Sequence, residues 1–175
     1  QENMALCCDF LAWRLALAEE MKPHCSLERR RTELLRHHNA AWLNIWSGIS
    51  AYYYALLGET AKIPPIFGEH RLSDINMLAP GRPMMLLIEN QVYLAQGNYA
   101  KVIGRSEGQL SVCEGMHYGL VALHIRIQTA AAYEAMGKWQ EAEQMLTQAI
   151  LEAETDYLVL PFVENYRYLK KLLLR

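Results

Sequence analysis

The chain has 175 residues, 52% hydrophobic and 21% charged, with 17 basic against 19 acidic side chains and a formal net charge of −2. That length buries a sizeable core, and the composition is ordinary for a globular protein while lacking the basic footprint of a nucleic-acid binder. The four cysteines, Cys7, Cys8, Cys25 and Cys113, form no C-x-x-C pair and no metal-ligand spacing, so buried free thiols in a reducing cytoplasm are expected.

Neither a secretory leader nor a membrane span is expected: no basic segment with a short apolar run and cleavage site opens the chain, and no stretch of about 18 uncharged apolar residues occurs. The chain starts at Gln1 inside helical sequence with no initiator Met, which suggests a segment of a larger protein.

In chain order, residues 1–39 read as an N-terminal helix pair, Met4 to Met21 and Leu27 to His38, separated by Pro23. Residues 40–82 hold an aromatic inner helix, Ala40 to Leu57, and an irregular connection. On that helix Trp42, Trp46, Ile49 and Tyr53 fall at i, i+4, i+7 and i+11, one stripe flanked by Tyr52 and Tyr54. The run Ile63-Pro64-Pro65-Ile66-Phe67-Gly68 cannot continue a helix, and one short helix is expected near Ser73 to Leu78. Residues 83–115 form the next unit: an inner helix from Met84 to Gln96, a turn at Gly97-Asn98, and an outer stripe of Tyr99, Val102, Ile103, Ser106 and Leu110. In residues 116–155 the segment Met116 to Met136 is apolar on nearly every side, as a helix buried between neighbours is. Gly137 then ends it, and Trp139, Ala142, Met145, Leu146, Ala149, Ile150 and Ala153 form the stripe of an amphipathic partner. Residues 156–175 add a last helix, Val163 to Leu174, after Pro161.

One phrase recurs through this order. Tyr54 precedes Gly58-Glu59, Tyr93 precedes Gly97-Asn98, and Tyr133 precedes Gly137-Lys138, each time with the aromatic four residues before the glycine. The glycines lie roughly 40 positions apart, the period of stacked helix pairs. The fold class is therefore all-α: a right-handed α-solenoid of antiparallel helix pairs, tetratricopeptide-like, with about four units and a C-terminal helix in a single domain over residues 1–175.

The chemical motifs are sparse. Gly104-Arg105-Ser106-Glu107-Gly108 matches G-x-S-x-G, but the hydrolase motif needs a strand before the serine, and here it lies in a helical stripe. No phosphate loop and no H-E-x-x-H occur. His117 and His124, seven apart, could share a helix face, but two imidazoles alone make a poor metal site. Arg29-Arg30-Arg31 reads as a solvated helix face, and His37-His38 as a helix-end pair. No catalytic residue, metal or cofactor is expected.

Ala41-Trp42-Leu43, Tyr54-Ala55-Leu56-Leu57-Gly58, Ile63-Pro64-Pro65-Ile66 and Pro83 before a helix ending Leu94-Ala95-Gln96-Gly97-Asn98-Tyr99 carry a family resemblance. So do Tyr133 to Ala142, Leu146, Ala149-Ile150 and Leu160-Pro161-Phe162-Val163-Glu164-Asn165. Over roughly residues 40 to 175 the chain resembles the helical-repeat region of MalT-type regulators of the LuxR family of bacterial transcription activators. The resemblance implies a non-catalytic sensor that receives a small-molecule effector or a protein partner and relays it to a nucleotide-binding switch domain and a helix-turn-helix, with self-association of the active state. Nucleotide hydrolysis and direct nucleic-acid contact would belong to those other segments. Candidate ligand- or partner-binding residues lie on the inner helices: Trp42, Trp46, Tyr53, Glu89, Tyr93 and Arg126. A stand-alone adaptor gripping a peptide or helix is the other reading, for which Asn90, Lys101, Arg105 and Arg126 offer a loose polar groove.

Overall fold

A computed structural model describes residues 40–72 and 81–175, together with Leu35 and Ile75, the side chains of residues 40–42 excepted. The helix pair expected in residues 1–39, with its arginine run and histidine pair, and the short helix expected near Ser73 lie outside the described residues.

All regular structure among the described residues is helical. Helix α1 spans Ala40–Leu57, followed by a 3-10 turn at Thr60–Lys62 and a short α2 at Pro65–Gly68. Helices α3 (Arg82–Ala95) and α4 (Tyr99–Gly115) follow, then α5 (Gly119–Ala135) and α6 (Trp139–Glu154), and finally α7 (Leu160–Glu164) and α8 (Tyr166–Leu173). Three-residue connections fold α3 back on α4 and α5 back on α6.

Helix α5 is the hub: α3, α4, α6, α7 and α8 all pack on it, while α1 packs on α3. One apolar cluster joins Tyr52, Phe67, Ile88, Val92 and Ile125. A second joins Leu94, Leu123, Ile127, Leu146 and Leu169. Both draw on α5, whose apolar residues point in several directions and bury on opposite flanks.

The recurring phrase is a helix-ending turn. Glu59 N–H donates to Tyr54 O at 2.8 Å, Asn98 N–H to Tyr93 O at 2.8 Å and Lys138 N–H to Tyr133 O at 2.9 Å. Each is a six-to-one bond that satisfies an orphan carbonyl at a helix C-terminus. The loop closes only if the intervening residue is left-handed, and Gly58, Gly97 and Gly137 have φ of +71°, +76° and +74°. The same bond recurs without glycine: Arg71 to Ile66, Tyr118 to Cys113 and Leu158 to Ala153, with His70, His117 and Tyr157 at φ of +57°, +55° and +53°.

The structure corrects four expectations. The helix placed from Met116 starts at Gly119, because residues 116–118 form a turn through His117. His117 and His124 therefore share no helix face; His117 is exposed in the turn and His124 is buried in α5. The Pro64-Pro65 run is not wholly irregular: Pro65 opens α2 at the first helical position, where its missing N–H leaves no bond unmade. The last helix is broken in two at Asn165, whose side-chain amide donates to Pro161 O at 2.9 Å.

Helix α8 reaches back to α1. Arg167 donates to Leu57 O and Tyr168 to Ala55 O, so a guanidinium sits at the carbonyl end of α1, where the helix dipole favours a cation. A Cβ on Gly58 would lie 2.6 Å from Arg167 Nη2, whereas one on Gly137 would meet nothing within 4 Å. Gly137→Ala should cost about 1–2 kcal/mol from backbone alone. Gly58→Ala should cost more, because Arg167 must also leave its seat, and His117→Gly should cost nothing or stabilise. Urea denaturation of the three variants checks the order.

Candidate functional site

Glu89 and Tyr93 stand one turn apart on α3, and two neighbouring elements complete a polar knot around them. The Glu89 carboxylate is buried; Arg105 Nη2 from α4 lies 2.5 Å from its Oε2, and His70 Nδ1 lies 3.6 Å from its Oε1. His70 stacks on the Tyr93 ring with centroids 3.9 Å apart and planes 12° off parallel. Lys101 Nζ and the Arg105 guanidinium lie over the same ring at 5.2 and 5.3 Å. Stacking leaves no room for a cation on the His70 face, so both cations hold the other.

The left-handed turn aims His70 inward. Its Nε2 lies 2.8 Å from Gln96 Oε1, and Gln96 donates in turn to Gly68 O at 3.0 Å. Burial, then the Glu89 charge, raises the Tyr93 phenol above its usual range; Arg105 pulls it back. The Tyr93 ring and the Glu89 carboxylate are both buried, and the imidazole and the two cations around them join α3, α4 and the turn after α2 into one polar knot.

The other nominated residues lie elsewhere. Trp42 is on α1, with its side chain outside the described residues. Trp46 and Tyr53 are buried and cluster with Ile49; Trp46 also lines a cleft of about 550 Å³ with Lys62, Pro64 and Ile66. Burial, helped by Tyr54 and Glu59, pushes the Tyr53 phenol up to about 12. Arg126 faces a different cleft, with Nη1 donating to Gln148 Oε1 at 3.3 Å and Nε 2.7 Å from Glu152 Oε1, a charge contact out of line for a hydrogen bond. Asn90 is used up in a reciprocal amide pair with Gln109 that locks α3 to α4. The loose groove of Asn90, Lys101, Arg105 and Arg126 thus divides into three places. Ser106 is inside α4, its hydroxyl donating to Ile103 O at 2.8 Å.

A second buried polar set escaped the sequence reading. Tyr52 of α1 donates to Glu164 Oε1 of α7 at 2.8 Å, and its oxygen lies 3.3 Å from His124 Nδ1 of α5; His124 Nε2 lies 3.5 Å from the same carboxylate. Residues 112 apart are joined here, a pairing no local pattern encodes. His70 carries no local signal either, because its left-handed turn follows Ile66 without the aromatic and the glycine of the recurring phrase.

Among the described residues no cluster of three His, Cys, Asp or Glu is placed to hold a metal ion, and no helix is long and apolar enough to cross a membrane. No protein-family model, curated protein or solved structure matches the chain at a significant level.

Arg105→Ala leaves Glu89 as a buried carboxylate facing only His70 and should cost about 2–3 kcal/mol, discounted for the part-exposed arginine. Lys101→Ala, a solvated rim change, should cost less than about 0.5 kcal/mol; urea midpoints separate the two. Tyr168 gives a pH signature. Burial raises its phenol to about 12, against the ordinary 10.0. Above pH 10 the unfolded chain ionises first, so stability falls as pH rises through this window. Tyr168→Phe should flatten that fall between pH 9 and 11.5.

Proposed function

We propose that this chain is a non-catalytic receiver region of the kind found in MalT-type LuxR-family activators: a right-handed, tetratricopeptide-like stack of antiparallel helix pairs working in the cytoplasm. It takes up a partner and passes the event to nucleotide-switch and DNA-reading segments by population shift. Three repeated helix-ending turns and the in-order packing of α1 on α3 and α3 on α5 support the stacked-pair reading. Self-association of the occupied state goes with this reading.

The observation that carries partner binding over an enclosed effector is the spread of the nominated side chains. Trp46 and Arg126 line two separate clefts and Tyr93 is buried in a third place under His70, whereas a small ligand is typically enclosed over most of its surface in one pocket. The second reading, a small effector, is favoured by the Trp46 cleft, whose volume is right for one. A stand-alone adaptor uses the same surfaces without the relay.

Cross-linking capture by the full chain, run beside a thermal-shift screen of metabolites, separates these readings. A captured protein lost with Lys101→Glu, or with Glu107→Gln plus Glu114→Gln, supports partner binding through exposed side chains of α4. A metabolite that raises Tm by several degrees, and loses that effect with Lys62→Ala, supports the effector instead. Turnover of a metabolite with neither result overturns both.

A further inference from the structure

Helix α5 turns two different faces to its surroundings. His124 and Gln128 point toward α1, α3 and α7: Gln128 donates to Leu87 O at 3.0 Å and to Gln91 Oε1 at 2.9 Å, and His124 meets Tyr52 and Glu164. Ala122, Arg126 and Tyr133 lie on the opposite side, flanked by α4 and α6, and line an open cleft of about 890 Å³.

Leu110, Ala122 and Met145 give the cleft an apolar floor, and all three are half-buried. Three carboxylates line it as well: Glu107 and Glu114 of α4 and Glu152 of α6. Arg126 neutralises Glu152. Glu107 and Glu114 are exposed, and neither has an ion-pair partner among the described residues. They stand seven residues apart on one edge of α4, about 10 Å along the helix. The trough therefore combines apolar contact with two unspent negative charges at a two-turn spacing.

We propose that this cleft is the docking groove for an amphipathic helix of a partner protein, one whose apolar stripe lies on α5 and whose lysines or arginines, seven residues apart, meet Glu107 and Glu114. The proposal rests on the partner-binding reading above and gives it a seat and a chemistry. A helix laid in a groove between two helices buries one stripe and keeps its flanks in water, which the floor and rim here both suit. Backbone pairing with an extended peptide needs a sheet edge, and none exists among the described residues. The sign of the rim repels nucleic acid. Charge pairs at such a rim act mainly through association rate and selectivity, so the binding should depend on salt.

The test uses a fluorescent 18-residue amidated peptide with leucines at i, i+3 or i+4 and i+7, flanked by lysines seven apart, and a twin with glutamates for the lysines. Fluorescence anisotropy with the full chain at low salt should show the lysine peptide binding at least tenfold tighter than its twin, the gap closing as salt rises. Glu107→Gln with Glu114→Gln should weaken it roughly five- to tenfold. Glu143→Gln with Glu154→Gln, the same charge change at exposed positions outside the cleft, should leave it unchanged. Equal binding of the two peptides, no binding of the lysine peptide, or equal effects of the two double variants overturns the proposal. A captured partner that still binds the Glu107→Gln, Glu114→Gln chain but is lost with Lys101→Glu keeps the partner-binding reading and overturns this cleft as its seat.

Discussion

The backbone bond that ends a helix by reaching five residues back, through one residue in left-handed conformation, sets the form of this protein. It occurs at six places among the described residues, and at each it satisfies a carbonyl that would otherwise be stranded. After α3, α4 and α5 the connection is only three residues long, so the next helix must return alongside the last and present its apolar stripe to the same neighbour. Pairing then needs little help from the sequence of the loops. It needs a residue that tolerates positive φ and an apolar side chain on each side of the turn.

This explains what could be read from the residues. Gly58, Gly97 and Gly137 announce their turns because glycine alone adopts that conformation without cost. His70, His117 and Tyr157 do the same work unannounced: in these residues the left-handed state is imposed by the bonds around it, and the side chain carries no mark of it. The helix start expected at Met116 moves to Gly119 for this reason, and with it goes the possibility that His117 and His124 share a helix face. Within the site, Glu89 and Tyr93 were accessible because an i, i+4 pair shares a helix face. Their partner His70 comes from a turn 19 residues earlier, and only tertiary packing brings it to the ring. Trp46 and Arg126 were correctly placed on their helices, but helical phase alone does not say that they open on different surfaces.

Polar side chains inside the core add precision that the apolar clusters lack. Leucine and alanine contacts tolerate sliding, whereas the Asn90–Gln109 pair, the Gln128 amide on Leu87 O and the Tyr52–His124–Glu164 set each have one satisfactory alignment. A one-turn slip of α3 or α5 would strand buried amides at a cost of about 1–3 kcal/mol per group. These groups therefore fix how the helices stand against one another, and so where the faces of α5 are presented.

The grip of Arg167 on the carbonyl end of α1 has a consequence for the order of assembly. A ribosome must add 110 residues after Leu57 before that guanidinium exists. The pairs α3–α4 and α5–α6, whose contacts are local, can form while the chain is still emerging. The end of α1 waits, solvated, for Arg167 to emerge and fasten it, so α1 is secured only after the helices from α3 to α6 have been made.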